Sequence, residues 1–280
     1  MVLTERESQV LGEIKKWEAK LNSYESTDFT ALYDKWLEQA FSLIPEENQR
    51  LFFSKLDNSL FHMQALIQGS QYQVDARTGI INTARVFHSD ISSIADLRIL
   101  TIDQLNYLTD QHIAKHRLYS LIQGGASGFG GIFLTGLDLS AIAVINVRVV
   151  QLIAMCYGFE VNTPFEMMMA LKVFHIGMMP KRMQGAAWNE LINETEKSSN
   201  EYFYEGKEEL TNLSWLEQPF KQILKAAAIS SFRKKTIQGM PVISMAIGAA
   251  ANYNLTRSVS EVAKRYYQYR YLLNKSEELE

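Results

Sequence analysis

Nineteen consecutive residues, Tyr119 to Leu137, carry no charge, and six of the thirteen positions from Gly124 to Gly136 are glycine. A glycine inside a helix costs about 1 kcal/mol relative to alanine. A chain that concentrates glycine must therefore gain from the missing side chains. Three gains are open: a phosphate cradle, a membrane segment, or a helix that another helix approaches closely. The phosphate readings fail on register. Gly125 and Gly130 have Walker spacing, but Gly131-Ile132 stand where lysine and a hydroxyl are required. Phe133 occupies the position of a dinucleotide-fingerprint glycine, and Gly125-Ala126-Ser127-Gly128-Phe129 is one place out of step with a nucleophile elbow. At about 100° per residue, Gly124, Ser127, Gly128, Gly131 and Thr135 fall on one side of a helix. Ile122, Ala126, Phe129, Phe133 and Leu137 fall on the other. This sorting predicts a small-residue ridge for close helix packing. A mate stands in GMPVISMAIGAAANYNL, where Ser244, Gly248, Ala251 and Leu255 share a face. The expected architecture is a buried glycine-rich hairpin in which the ridge near Gly128 packs on the one near Gly248.

The membrane reading is the rival. Thr236 to Thr256 is a second uncharged run, and helices of these two lengths span about 28–32 Å, enough for a hydrocarbon core. Glycine, serine, glutamine and asparagine dilute both windows, however. The next apolar run, Leu139 to Phe159, contains Arg148 and follows Asp138; each charge would cost about 3 kcal/mol at mid-bilayer. Core helices, or reversible contact with a membrane surface, fit better than spanning. Gly124, Gly128, Gly131 and Arg148, with the basic run Arg233, Lys234 and Lys235, are the candidate membrane or partner contacts.

Helical periodicity governs the rest. Val10, Ile14, Trp17 and Leu21 recur at helical intervals. Thr27-Asp28 and Pro45-Glu46-Glu47 open two further predicted helices. Thr101 with Gln104 reads as a capping box before a helix to about His116, and Thr163-Pro164-Phe165-Glu166 as another after a stop at Gly158. Pro180, Pro219 and Pro241 mark breaks or starts, Glu194 to Asn212 a surface loop, and Arg257 to Leu273 a final amphipathic helix. Convincing strand or hairpin patterns are scarce. The expectation is one all-α domain over 1–280, a bundle of about ten helices, with amphipathic helices over 1–110 and the glycine-rich core over 111–275. A net charge of −3 gives no global field for nucleic acid. Cys156 is the single cysteine, so no internal disulfide forms, and its apolar neighbours predict a buried thiol. The N-terminus lacks the pattern of a secretory signal, which predicts a cytoplasmic location.

Chemistry-bearing residues are few. His112 and His116 stand at i and i+4, a spacing that suits zinc. The glutamate of a zincin helix is replaced by Ile113, and Asp110 and His88 could complete a site only if the fold gathered them. His175 and His62 read as core histidines, the former with one hydrogen bond. Asp138 reads as a helix N-cap, and Gly248 is structural as part of its small-residue ridge. Arg148, in an apolar helix, requires a carboxylate, a backbone acceptor or an anionic ligand such as a lipid phosphate. Met167-Met168-Met169 and Met178-Met179 point around their helix and read as core filling.

From His116-Arg117 through the GGASGFGG stretch, Leu137-Asp138-Leu139, the helix VRVVQLIAMCYGF and the late run MPVISMAIGAAANYNLTRSVSEVAKRYYQYRYL, the chain resembles the EcsC family. The resemblance covers about Ile113 to Leu273. Leu139-Ser140 replaces the common Ile-Pro, and Ser244 a usual glycine. It implies a bacterial, intracellular, mostly helical protein working near a membrane, since the founding member is encoded beside an ABC transporter. It brings no catalytic residues and no cofactor. The functional expectation is a non-enzymatic accessory protein at the cytosolic membrane face, partnered by a membrane protein or a lipid surface. The alternative is a hydrolase, metal-dependent through His112 and His116, with Asp138 in a helical cavity.

Overall fold

A computed structural model describes residues 3–25, 67, 69–129, 136–197 and 241–277 of the chain. Among them are seven α-helices: α1 (Glu5–Asn22), α2 (Gln71–Ala84), α3 (Ile102–Phe129), α4 (Gly136–Cys156), α5 (Pro164–Met178), α6 (Lys181–Lys197) and α7 (Pro241–Glu277). A 3-10 helix, Ala95–Ile99, precedes α3. No strand occurs among the described residues.

Local chemistry sets most boundaries. The Thr101 amide donates to Gln104 Oε1 at 2.9 Å and the Gln104 amide to Thr101 Oγ1 at 3.4 Å, so the capping box opens α3 as expected. Thr163 Oγ1 accepts from the Glu166 amide at 3.2 Å, and Pro164 takes the first turn of α5. Gly158 ends the preceding segment at φ 82°, in the left-handed region that glycine enters without penalty. Thr4 and Glu7 form a further capping box on α1, which the periodicity reading overlooked.

The expected count of ten helices is not reached among the described residues. The second and third predicted helices, at Thr27 and Pro45, and the break at Pro219, lie outside them. Two expected helices are also one. The small-residue run from Pro241 and the terminal amphipathic helix form the continuous 37-residue α7. Proline stands only at its first position, and nothing later in the run forces a break. Helix α3 likewise continues past His116 to Phe129, and α6 occupies the start of the predicted loop as far as Lys197.

The glycine-rich stretch is not described as one helix. Gly124 and Gly128 lie in α3, Gly131 lies outside the described residues, and a new helix begins at Gly136. Asp138 is consequently the third residue of α4 and not the residue before it. The N-cap reading gives way to a position inside the helix. Gly248 lies in α7.

Helix α7 is the axis of the core. Its Val259, Val262, Ala263, Tyr266 and Tyr267 are buried. It runs antiparallel to α3, as four contacts fix: Arg117 Nη2 to Ser260 Oγ (3.0 Å), Lys264 Nζ to Asp110 Oδ1 (2.6 Å), Gln268 Nε2 to Asn106 Oδ1 (2.7 Å) and Tyr271 OH to the Leu100 carbonyl (2.8 Å). Helix α5 crosses α7 at Gly177, whose missing side chain admits the Val259 backbone. At the other end of α5, Arg270 Nη1 donates to both oxygens of Glu166, at 2.6 and 2.8 Å, with both residues buried. The Arg270 guanidinium lies 4.2 Å from the Phe159 ring centroid. Helices α1 and α6 close one flank, where Trp17 meets Trp188 edge-on at 4.9 Å.

Cys156 is buried as expected, and burial pushes its thiol up to about 12. His62 lies outside the described residues. His175 is a core histidine, but among the described residues neither ring nitrogen has a hydrogen-bond partner, which corrects the expected single bond. Burial pushes its pKa down to about 4, so the folded protein holds it neutral. The unfolded chain takes up a proton below the ordinary histidine value of about 6.5, and the folded chain resists until about 4. Stability is therefore full above that window and lost as pH falls through it. Urea unfolding at pH 7.5, 6 and 5 should show wild type losing up to about 1.4 kcal/mol per pH unit from this group. His175→Leu should flatten that slope; an unchanged slope would remove His175 from the account.

Candidate functional site

Helix α4 is apolar apart from a few positions, and two of these share a face. Arg148, Gln151 and Met155 stand at i, i+3 and i+7, within about 60° of one another. Two contacts show that this face meets α2. The Arg148 guanidinium lies 4.7 Å from the Tyr72 ring centroid, and Gln73 Nε2 lies 3.9 Å from Met155 Sδ. Arg148 is half-buried, and no carboxylate pairs with it among the described residues. Its Nε is buried without a hydrogen-bond partner. The expected ion pair is therefore not seen, and the aromatic face of Tyr72 stands in its place. Gln151 is 0 % exposed with both amide atoms unpartnered, and Gln73 Oε1 is unpartnered too. Buried polar groups are normally satisfied, at a cost of about 1–3 kcal/mol when they are not. Three such residues on one helix contact make a seam that apolar packing alone does not explain.

His116 fixes the far side of Tyr72. Its Nδ1 lies 2.9 Å from the His112 carbonyl and its Nε2 3.2 Å from the Tyr72 hydroxyl. Burial lowers the His116 pKa, and nearby Lys115 and Arg148 lower it further against the raising effect of the carbonyl. The neutral ring then donates from Nδ1 and accepts from Tyr72 at Nε2. Burial also pushes His112 down to about 4. His116 has both nitrogens occupied, and Asp110 turns to Lys264 on α7 at 2.6 Å. No group of three or more His, Cys, Asp or Glu side chains suited to a metal gathers among the described residues. The structure thus pairs His112 and His116 on one helix, as read from the spacing, but assigns His116 to holding Tyr72. Tyr72, Gln73 and Gln151 escaped the sequence reading; the break that Gln151 makes in the apolar run VRVVQLIAMC was the available signal.

Beyond Arg117 the outer face of α3 is apolar and exposed. Leu118 is 55 % exposed, Tyr119 41 %, Leu121 41 % and Ile122 57 %. These four fall within an arc of about 160°, opposite buried Ser120. Lys115 is exposed one turn before them, with its ammonium 5.8 Å from the Tyr119 ring centroid. Among the described residues no helix is long and apolar enough to cross a membrane. Parts of both uncharged windows, and Arg233, Lys234 and Lys235, lie outside those residues.

A groove of about 750 Å³ runs between α1, α3 and α7. Its charges largely cancel: Arg6 pairs with Asp103 at 2.9 Å, Lys264 with Asp110 at 2.6 Å and Arg265 with Glu13 at 3.6 Å. Exposed pairs of this kind contribute about 0–1 kcal/mol each and mark a solvated helix seam.

The family model described as the EcsC protein family matches residues 8–272. "Uncharacterized protein YdbA" of Bacillus subtilis (strain 168) is 22 % identical over 274 residues, covering 97 % of this chain and 95 % of that protein. "Protein EcsC" of the same strain is 24 % identical over 180 residues, 63 % of this chain and 68 % of that protein. No solved structure gives a significant match.

Proposed function

The chain belongs to the EcsC protein family, and from that premise we propose that it is a non-enzymatic helical accessory protein working at the cytosolic face of a membrane. The observation that carries the reading is the exposed apolar arc of α3, Leu118, Tyr119, Leu121 and Ile122, next to exposed Lys115 and half-buried Arg117 on the same helix. A helix face with leucine, isoleucine and tyrosine flanked by basic residues suits the headgroup boundary of an anionic bilayer. The occupant of the face is the lipid surface, and a membrane protein such as a transporter would be met there. In this reading the small ridges of α3 and α7 keep the two helices close where they approach the bilayer.

Co-sedimentation with vesicles tests the reading. Wild-type protein should bind phosphatidylglycerol–phosphatidylcholine vesicles at low salt and bind phosphatidylcholine alone far less. Half-burial of each apolar side chain is worth about 1 kcal/mol, so Leu118→Ser/Leu121→Ser/Ile122→Ser should weaken partition about a hundredfold. Equal binding to both vesicle types, or a triple variant that binds like wild type, would overturn the proposal.

A further inference from the structure

We infer that Arg148, with Tyr72 and Gln151 around it, is a binding site for a phosphate oxyanion. A guanidinium in an apolar helix is retained only where something repays its lost hydration. Among the described residues Arg148 has no carboxylate, and its contact is the face of Tyr72. The ring, its centroid 4.7 Å from the guanidinium carbon, gives the cation an aromatic partner without neutralising it. Tyr72 cannot swing away freely, because its hydroxyl is held by His116, and His116 by the His112 carbonyl. The cation is thereby kept against an anchored ring, and its planar fork is free to grip a tetrahedral oxyanion with two parallel hydrogen bonds.

A second observation is independent of the charge. Gln151 lies one turn along the same face, wholly buried, with its amide nitrogen and oxygen both unpartnered, and Gln73 across from it has an unpartnered Oε1. The Gln151 amide supplies a further donor next to the fork, and Gln73 can accept the proton of a monoanionic phosphate. No carboxylate among the described residues contacts Arg148, Gln73 or Gln151 to repel an anion. The same chemistry would recognise a lipid headgroup phosphate or a soluble phosphate. Binding of this kind takes place in solution and does not require contact with a membrane.

The test uses the full chain without membranes. Inorganic phosphate and a dihexanoyl phosphatidic acid kept below its micelle concentration are titrated while the melting temperature is followed. At least one should stabilise wild type: both if the bare oxyanion suffices, the lipid alone if the glycerol ester is also needed. Arg148→Met should weaken the response at least about tenfold, the loss of one charge-assisted hydrogen bond. Gln151→Leu should weaken it as well while raising the melting temperature in anion-free buffer, because the orphaned amide is gone. Should Arg148→Met fail to fold, Arg148→Lys replaces it; the charge stays and the fork is lost, and calorimetric titration should again show weaker binding. No stabilisation of wild type by either probe, or variants that respond as wild type does, would overturn the site. Vesicle binding by α3 could survive that result, so the two proposals fail separately.

Discussion

Glu166→Leu should lower the unfolding free energy by about 3–5 kcal/mol, measured by urea denaturation at neutral pH. The reason is what it leaves behind. Arg270 is buried on α7, and both oxygens of Glu166 receive its Nη1. Burial opposes the charge of Arg270, while Tyr266 and the Glu166 carboxylate raise its pKa above the ordinary value, so the guanidinium stays charged. Without the carboxylate, a cation remains in the core with the rings of Phe159 and Phe165 as its apolar company. The double variant Glu166→Leu/Arg270→Met separates this cost from the value of the pair. Replacing both partners with apolar groups of similar volume is commonly neutral or stabilising, so the double variant should recover most of the loss. A double variant as unstable as the single one would mean that Glu166 acts through α5 itself, as the acid in its first turn at the positive end of the helix dipole.

What the sequence discloses here follows the range of the interaction. The boxes at Thr101 and Thr163 and the stop at Gly158 were legible because cap, acceptor and turn lie within a few residues. Arg148 was legible as an anomaly, a charge in an aliphatic run, but Tyr72 was not. It sits in QYQVDARTGIINTA, whose weak periodicity gives no reason to aim it at a residue 76 positions later. His116 shows the complementary failure. Its spacing to His112 suits a metal without identifying one, since the same i, i+4 geometry serves equally to bond a side chain to the backbone one turn back. The continuity of α7 was hidden by the change from a small-residue run to an amphipathic one, a change that its proline-free interior spans without a break. The family resemblance was legible from the order of its motifs, and the family match extends it toward the N-terminus, to residue 8.

The clearest close helix approach among the described residues is at a glycine that no pattern advertised. Gly177 is a single glycine in KVFHIGMM, without a small-xxx-small partner, yet a Cβ there would overlap the Val259 Cα and stand 2.9 Å from Val259 Cγ2. The obstruction is backbone, so no rotamer change relieves it; α5 or α7 must move, and α7 also carries Arg270 and the tyrosine core. Gly177→Leu should therefore cost about 3 kcal/mol or more, the upper range for overpacking, and lower the melting temperature by about 2–4 °C per kcal/mol. Gly177→Ala should already be clearly destabilising, although alanine is the better helix former. Gly12 supplies the contrast. It lies mid-helix in α1, where an added Cβ would meet no atom within 4 Å, so Gly12→Ala should stabilise by about 0.5–1 kcal/mol. The same substitution thus carries opposite signs at two helical glycines. If Gly177→Ala proved as benign as Gly12→Ala, α5 and α7 would not be in backbone contact, and the core would need a different packing around Glu166 and Arg270.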